Sequence, residues 1–282
     1  MKIFDLHVHT SGGNDSPEKY VEQLAQAGVY GSAVFSQTPV HGGPGYEQRI
    51  EAVLKFCENY PGRLFPVLWI HPFEKRAVEH AIDAAERGIA GFKFICNNYF
   101  VSDPQCMALL RVIADLGKPV CFHSGILWDD GVSGQFNRPL NWECLLTLPK
   151  LKFSMAHCSW PWYDECIALY GKFQHALAHR SDACEMFFDL TPGTPVPYRR
   201  DLLTKLFTVG YDVKHNIMFG TDCLTDYRSE WSIKWQGIDN EIYSDLGISD
   251  DIRENIYNGN FMRFFGISNE VYDKKPLSSD GR

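Results

Sequence analysis

The sequence predicts a (β/α)8 barrel, a TIM-barrel α/β fold, on three observations. Eight short apolar runs alternate with helix-like stretches along most of the 282 residues. No glycine-rich phosphate turn follows the first run, as a doubly wound open sheet would usually show; His7-Val8-His9 stands there instead. Ligand-type side chains recur at the ends of the runs, where a barrel gathers its functional groups.

The run Phe4-Asp5-Leu6-His7-Val8-His9-Thr10 reads as strand one. Residues two apart in an extended chain share a face, so His7 and His9 aim together and Val8 aims away. Ser16-Pro17-Glu18 opens a helix with proline at its first position, Tyr20, Val21, Leu24 and Ala27 keep helical spacing, and Gly28 ends it. Gly31-Ser32-Ala33-Val34-Phe35-Ser36 is strand two. The loop His41-Gly42-Gly43-Pro44-Gly45 leads to a helix through Ile50, Val53, Leu54 and Phe56, and residues 63–70 form strand three.

A helix over 74–87 ends at Gly88, strand four covers 91–95, and a helix over 104–116 ends at Gly117. Residues 118–123 are strand five; a long loop with Trp128, Gly131 and Gly134 then reaches a short helix near 142–148. Strand six is 151–157, followed by a helix over 162–179. Strand seven is 184–190, a helix covers 201–209, strand eight is 216–222, and helical segments close the chain.

No proline-, serine- or glycine-rich linker and no charge run divides the chain, so residues 1–268 are expected to form one domain, with 269–282 a polar tail. A net charge of -8 and a pI near 5.7 argue against nucleic acid and anionic membranes as partners. A small-molecule substrate is expected instead, and a homo-oligomer stays open. Nine cysteines without C-x-x-C spacing, several within apolar runs, suit a reducing, cytoplasmic compartment. The N-terminus lacks an apolar signal core and no stretch approaches the length of a membrane span, so a soluble, unexported protein is expected.

The strand ends carry His7 and His9, Trp69 and His71, Lys93, His123, His157 and Asp222. Neutral imidazoles suit zinc and its first-row neighbours, and two of them need further histidine or carboxylate ligands to complete a shell. His80, His175 and His179 fall on helices and are expected to face solvent. His175 and His179 have zincin spacing without the glutamate, no G-x-S-x-G elbow accompanies the His41 loop, and Walker and dinucleotide glycine patterns are absent from the sequence.

The order of His7-x-His9, the lysine in Gly91-Phe92-Lys93-Phe94, His123, His157 and Gly220-Thr221-Asp222 resembles the amidohydrolase superfamily. Glu254-Asn255-Ile256-Tyr257-Asn258-Gly259-Asn260-Phe261 through Phe265-Gly266 resembles the closing helix of its amidohydrolase-2 branch. The resemblance implies one divalent ion, zinc first with manganese or iron as alternatives, held by the residues matching His7, His9, His123 and Asp222. It implies Asp222 and His157 as catalytic residues, the first accepting a proton from a water that the ion has acidified, the second moving protons or polarising substrate. Lys93 has two readings: a carboxylated bridge to a second ion, as in two-metal members, or a plain ammonium facing Asp222 or a substrate carboxylate.

Candidate substrate contacts are His71, Trp128, Trp160 and Arg228, with Trp69 and Trp162 beside the same loops and Arg199 and Arg200 as further arginines able to grip a carboxylate. The expected activity is hydrolysis of an ester, lactone or amide in a small, carboxylated substrate. Decarboxylation of a carboxylated aromatic or unsaturated acid is the alternative, and a ligand-binding barrel without turnover is the alternative of another class.

Overall fold

The computed structural model describes residues 1–11, 16–39 and 43–267; His41 and the tail 269–282 lie outside the described residues. The chain alternates strand and helix: β1 (Phe4–His9), α1 (Pro17–Gln26), β2 (Gly31–Phe35), α2 (Tyr46–Cys57), β3 (Leu64–Trp69), α3 (Ala77–Glu86), β4 (Gly91–Phe94), α4 (Pro104–Asp115) and β5 (Val120–Phe122). Two 3-10 segments, Gly134–Phe136 and Pro139–Thr147, precede β6 (Lys152–Met155). Then come α5 (Tyr163–His179), β7 (Glu185–Asp189), α6 (Val196–Thr208), β8 (Ile217–Met218), β9 (Cys223–Leu224) and α7 (Ser229–Asp245). A last segment joins α8 (Asp250–Glu254), a π turn at Asn255–Gly259 and α9 (Asn260–Phe265).

The strands are parallel and lie in sequence order, with β9 beyond β1 at one end and β8 beyond β7 at the other. Because β8 and β9 are only four residues apart in sequence, those two ends meet and the sheet curls into a barrel. Leu6 N donates to Phe219 O at 2.9 Å and Asp222 N donates to His7 O at 2.9 Å, binding β1 to the segment between β8 and β9. The expected (β/α)8 architecture is therefore present.

Besides shifts of one or two residues at element ends, four elements differ from the sequence reading. Strand eight, expected over 216–222, is interrupted, because Asp222 takes a left-handed conformation at φ 57°. The helix expected from 74 begins at Ala77, since Arg76 before it is also left-handed (φ 66°). The helix expected from 201 starts earlier, at Val196, with proline in its first turn. The short helix near 142–148 is a 3-10 segment that opens at Pro139.

The register of β1 against β2 shifts between Asp5 and Val8. The consecutive side chains of Leu6 and His7 consequently both serve the barrel interior, whereas Asp5 and Val8 pack outward, as an irregularity of this kind allows. Toward the N-terminal ends of the strands the interior is closed by aromatics. Phe4 stacks on Phe261 with centroids 4.7 Å apart, Phe65 meets Phe261 at 5.3 Å, and Phe187 meets Phe264 at 5.0 Å.

Candidate metal centre

His7 and His9 leave the end of β1 with their Nε2 atoms 3.1 Å apart. Asp222 Oδ1 lies 3.4 Å from the first and 3.5 Å from the second, and all three donor atoms fall within 4.8 Å of one another. Nitrogens each about 2.1 Å from a tetrahedral ion would themselves be about 3.4 Å apart, so the spacing fits a shared ion. His7 Nδ1 pairs with Asp189 Oδ2 at 2.7 Å, from the last residue of β7. That bond commits the Nδ1 proton to the carboxylate and leaves Nε2 with a lone pair facing the cluster.

Burial lowers the pKa of His7 well below its usual value and takes His9 down to about 4, with the Lys93 ammonium acting the same way on both. Both rings are thus neutral at pH 7, the state in which imidazole ligates. Burial alone would raise the Asp222 carboxyl, but His7, His157 and His9 around it hold it below the usual carboxylate range. The group is therefore an anion between two neutral acceptors.

His157 follows β6 in a left-handed stretch that continues through Cys158 and Ser159 (φ 58°, 45° and 61°). The Thr191 hydroxyl fixes this residue twice, accepting from His157 N at 3.1 Å and pairing with Nδ1 at 3.0 Å. Its other nitrogen, Nε2, lies 3.9 Å from Asp222 Oδ2. Gly193 makes room for the ring, because a Cβ there would sit 2.4 Å from His157 Cγ. His123 stands next to it with ring centroids 5.2 Å apart, outside the tight three-residue group. His123 Nε2 is buried without a hydrogen-bond partner among the described residues, an arrangement that costs free energy unless something else binds it.

Lys93 is 1% exposed, with Nζ 3.3 Å from His7 Nε2 and 5.0 Å from the Phe35 ring centre. Burial lowers its pKa, opposed by Cys121, Asp189 and Asp222. Beneath the cluster, Asp5 accepts four hydrogen bonds: from His7 N and Thr221 N at 3.0 Å each, from Thr221 Oγ1 at 2.6 Å and from Tyr227 OH at 2.9 Å. It ties β1 to the residue preceding Asp222. Its own carboxyl is pushed up to about 7 by burial, against the pull of those donors.

The cluster opens into a cavity of about 910 Å³. Five of the chain's seven tryptophans line it, namely Trp69, Trp128, Trp160, Trp231 and Trp235. Trp128 and Trp160 thus lie where the sequence reading expects them. His71 and Arg228 are not among the residues lining the cavity. His71 Nδ1 accepts from Phe73 N, and its ring packs against Tyr99; Arg228 is the N-cap residue of α7 and lies over the Trp231 ring, 5.2 Å from its centre.

Arg199 and Arg200 are likewise structural: the first is buried in a bidentate pair with Asp239, the second makes surface ion pairs with Asp245 and Glu241. Trp162 carries Arg138 on its ring. His80 is half-buried and stacked on Tyr46 at 3.9 Å, a correction to its expected solvent exposure; His175 and His179 are exposed as expected. Sequence reasoning passes over Asp5, Asp189, Thr191 and the wall formed by α7. Asp189 was open to it, because a carboxylate ending strand seven obeys the same strand-end rule as the histidines.

The family model for amidohydrolases (Amidohydro_2) matches residues 4–267. The chain belongs to the amidohydrolase family. Among curated proteins none matches its sequence. Solved structures share the fold of this amidohydrolase at low identity. A 2,6-dihydroxybenzoate decarboxylase from Rhizobium has a TM-score of 0.65 at 13% identity, over 95% of this chain and 99% of that one. A probable 2-pyrone-4,6-dicarboxylic acid hydrolase from Acinetobacter baumannii, with citric acid bound, has 0.63 at 14%, over 94% and 100%. A dihydroorotase from Campylobacter jejuni has 0.60 at 13%, over 95% and 84%.

This amidohydrolase is an enzyme, and metal-dependent hydrolysis and decarboxylation both fit its family. Members of the family are metal-dependent, and the His7, His9 and Asp222 group can hold an ion. No helix among the described residues is long and apolar enough to cross a membrane.

Proposed function

We propose that this amidohydrolase is a mononuclear hydrolase, with zinc the first candidate ion, cleaving an ester, lactone or amide bond in a small carboxylated substrate. The observation that carries the reading is the convergence of His7 Nε2, His9 Nε2 and Asp222 Oδ1 beside a buried His123 Nε2 that has no other partner. His7, His9, His123 and Asp222 hold the ion. When bound, a divalent ion acidifies water and polarises a substrate oxygen.

The chain's own residues do the remainder. Asp222, ionised and facing the cavity, accepts the proton lost by the attacking water. Asp222 then delivers that proton to the leaving atom, while His157, held by Thr191 on one nitrogen, presents Nε2 to polarise the reacting group. Lys93 remains an ammonium in the one-ion reading; its carboxylation and a second ion form the two-ion reading.

Decarboxylation is the second reading, supported by the buried Lys93 ammonium within reach of the cluster, which can fix a carboxylate next to the ion. The chain from 1 to 268 acts as one domain in either case. Nine free thiols, eight of them buried, support a cytoplasmic setting.

Elemental analysis of wild type and of the His7→Ala, His9→Ala double variant tests the centre. About one equivalent of metal, lost in the variant, is expected; two equivalents would bring in Lys93 as a bridge, and no metal after reconstitution would sink the mechanism. Carbon dioxide release from a turned-over substrate would replace hydrolysis by decarboxylation.

A further inference from the structure

The cavity has a charge pattern that the metal cluster does not use. Among the described residues lining it, the charged side chains besides histidine are Asp222, Lys93 and Lys234. Asp222 is committed to His7, His9 and His157, and Lys93 is buried against His7. Lys234 is different. It is exposed at the cavity, and its Nζ lies over the Trp231 ring, 5.5 Å from the centre, with no ion pair among the described residues.

The platform that carries Lys234 is fixed. Trp231 Nε1 donates to Thr221 O at 3.1 Å, tying the indole to the residue before Asp222. Trp235, one residue beyond Lys234, meets Trp231 at 5.7 Å and carries the Arg199 guanidinium at 5.2 Å. Arg199 in turn grips Asp239 further along α7 with two bonds of 2.8 Å. The helix is thereby docked while the lysine side chain stays free at the rim.

We infer that Lys234, beside the face of Trp231, is the specificity-determining anchor for an anionic group of the substrate remote from the reacting bond. The inference rests on the cavity being the substrate site, and adds which residue meets the carboxylate of that substrate: a flat molecule whose ring lies beside Trp231. An ammonium held beside an aromatic face at the mouth of a cavity draws a carboxylate toward that mouth. No free carboxylate among the described lining residues competes for it. Arg228, which the sequence favours as this anchor, sits outside the cavity.

Calorimetric titration of the metal-loaded full chain with benzoate, isophthalate and pyridine-2,5-dicarboxylate, and with their neutral amides, tests the inference. At least one carboxylate is expected to bind more tightly than its amide. Lys234→Ala should weaken that carboxylate about tenfold, as loss of a charge-assisted bond does, and leave the amide unchanged. Lys234→Arg should recover most of the loss, and Arg228→Ala should change both ligands less than about twofold.

No carboxylate preferred over its amide, or equal weakening of both by Lys234→Ala, overturns the anchor. Metal content measured on the same samples separates the two readings. Metal retained with no Lys234 effect defeats the anchor alone, whereas an absent metal in wild type defeats the centre.

Discussion

The two ends of this barrel are built from the same strands and to opposite purposes. At the C-terminal end, buried imidazoles, carboxylates and an ammonium crowd together, and Asp222, His157, Cys158 and Ser159 hold left-handed backbone. At the N-terminal end, Phe4, Phe65 and Phe187 meet Phe261 and Phe264 of α9 in an apolar plug. Desolvated polar groups and left-handed non-glycine residues cost stability, and packed aromatics supply it. The difference teaches that the polar mouth persists because the floor and outer shell over-determine the strand positions.

That contrast can be broken most sharply at the mouth. Asp222→Asn should lower turnover about 10³-fold, the range expected for a lost proton acceptor, while the denaturation midpoint stays close to wild type. Turnover of any identified substrate, with urea unfolding alongside, measures both. A large loss of stability instead would mean that the mouth also holds the barrel together.

Phe261→Ala is the mirror experiment. It should cost about 3–5 kcal/mol of stability in urea unfolding while folded protein keeps its metal stoichiometry. Asp5 joins the two behaviours. Asp5→Ala strands the donors of His7, Thr221 and Tyr227 and should cost about 2–4 kcal/mol together with weaker metal binding. Asp5→Asn keeps one acceptor oxygen for His7 N and Thr221 N but faces the Thr221 and Tyr227 hydroxyls with a donor, so it should recover only part of both, read by unfolding and by metal titration.

The smallest expected effect is at Thr191. Thr191→Val keeps the shape but removes the hydroxyl shared by His157 N and Nδ1. Turnover should fall about tenfold, with metal content unchanged and stability altered by about 1 kcal/mol. An unchanged kcat would remove Thr191 as a positioning residue for His157.

The legible part of the site came from side chains whose type is informative by itself. His7 and His9 two residues apart, with His123, His157 and Asp222 at further strand ends, are weak signals singly and point to ligand chemistry as a set. Asp5 and Asp189 were harder, because an acidic residue inside an apolar run has no distinctive partner until the fold brings Tyr227 or His7 to it across more than 180 residues. Trp231 and Lys234 gave no signal: on a helix with mixed polarity, neither period nor spacing tells which residue overlooks a cavity formed by other elements.

The sequence by itself determined the alternation of strands and helices, the barrel and the candidate ligands at the strand ends, because periodicity of two and 3.6 and the strand-end rule are local properties. Tertiary structure alone decided the break in strand eight, the inward turn of both Leu6 and His7, and the exchange of Arg228 for Lys234 at the cavity. Those outcomes depend on closure. Where β1 meets the halves of strand eight, backbone pairing and side-chain volume from distant segments compete for one space, and only the closed barrel settles which side chain faces it.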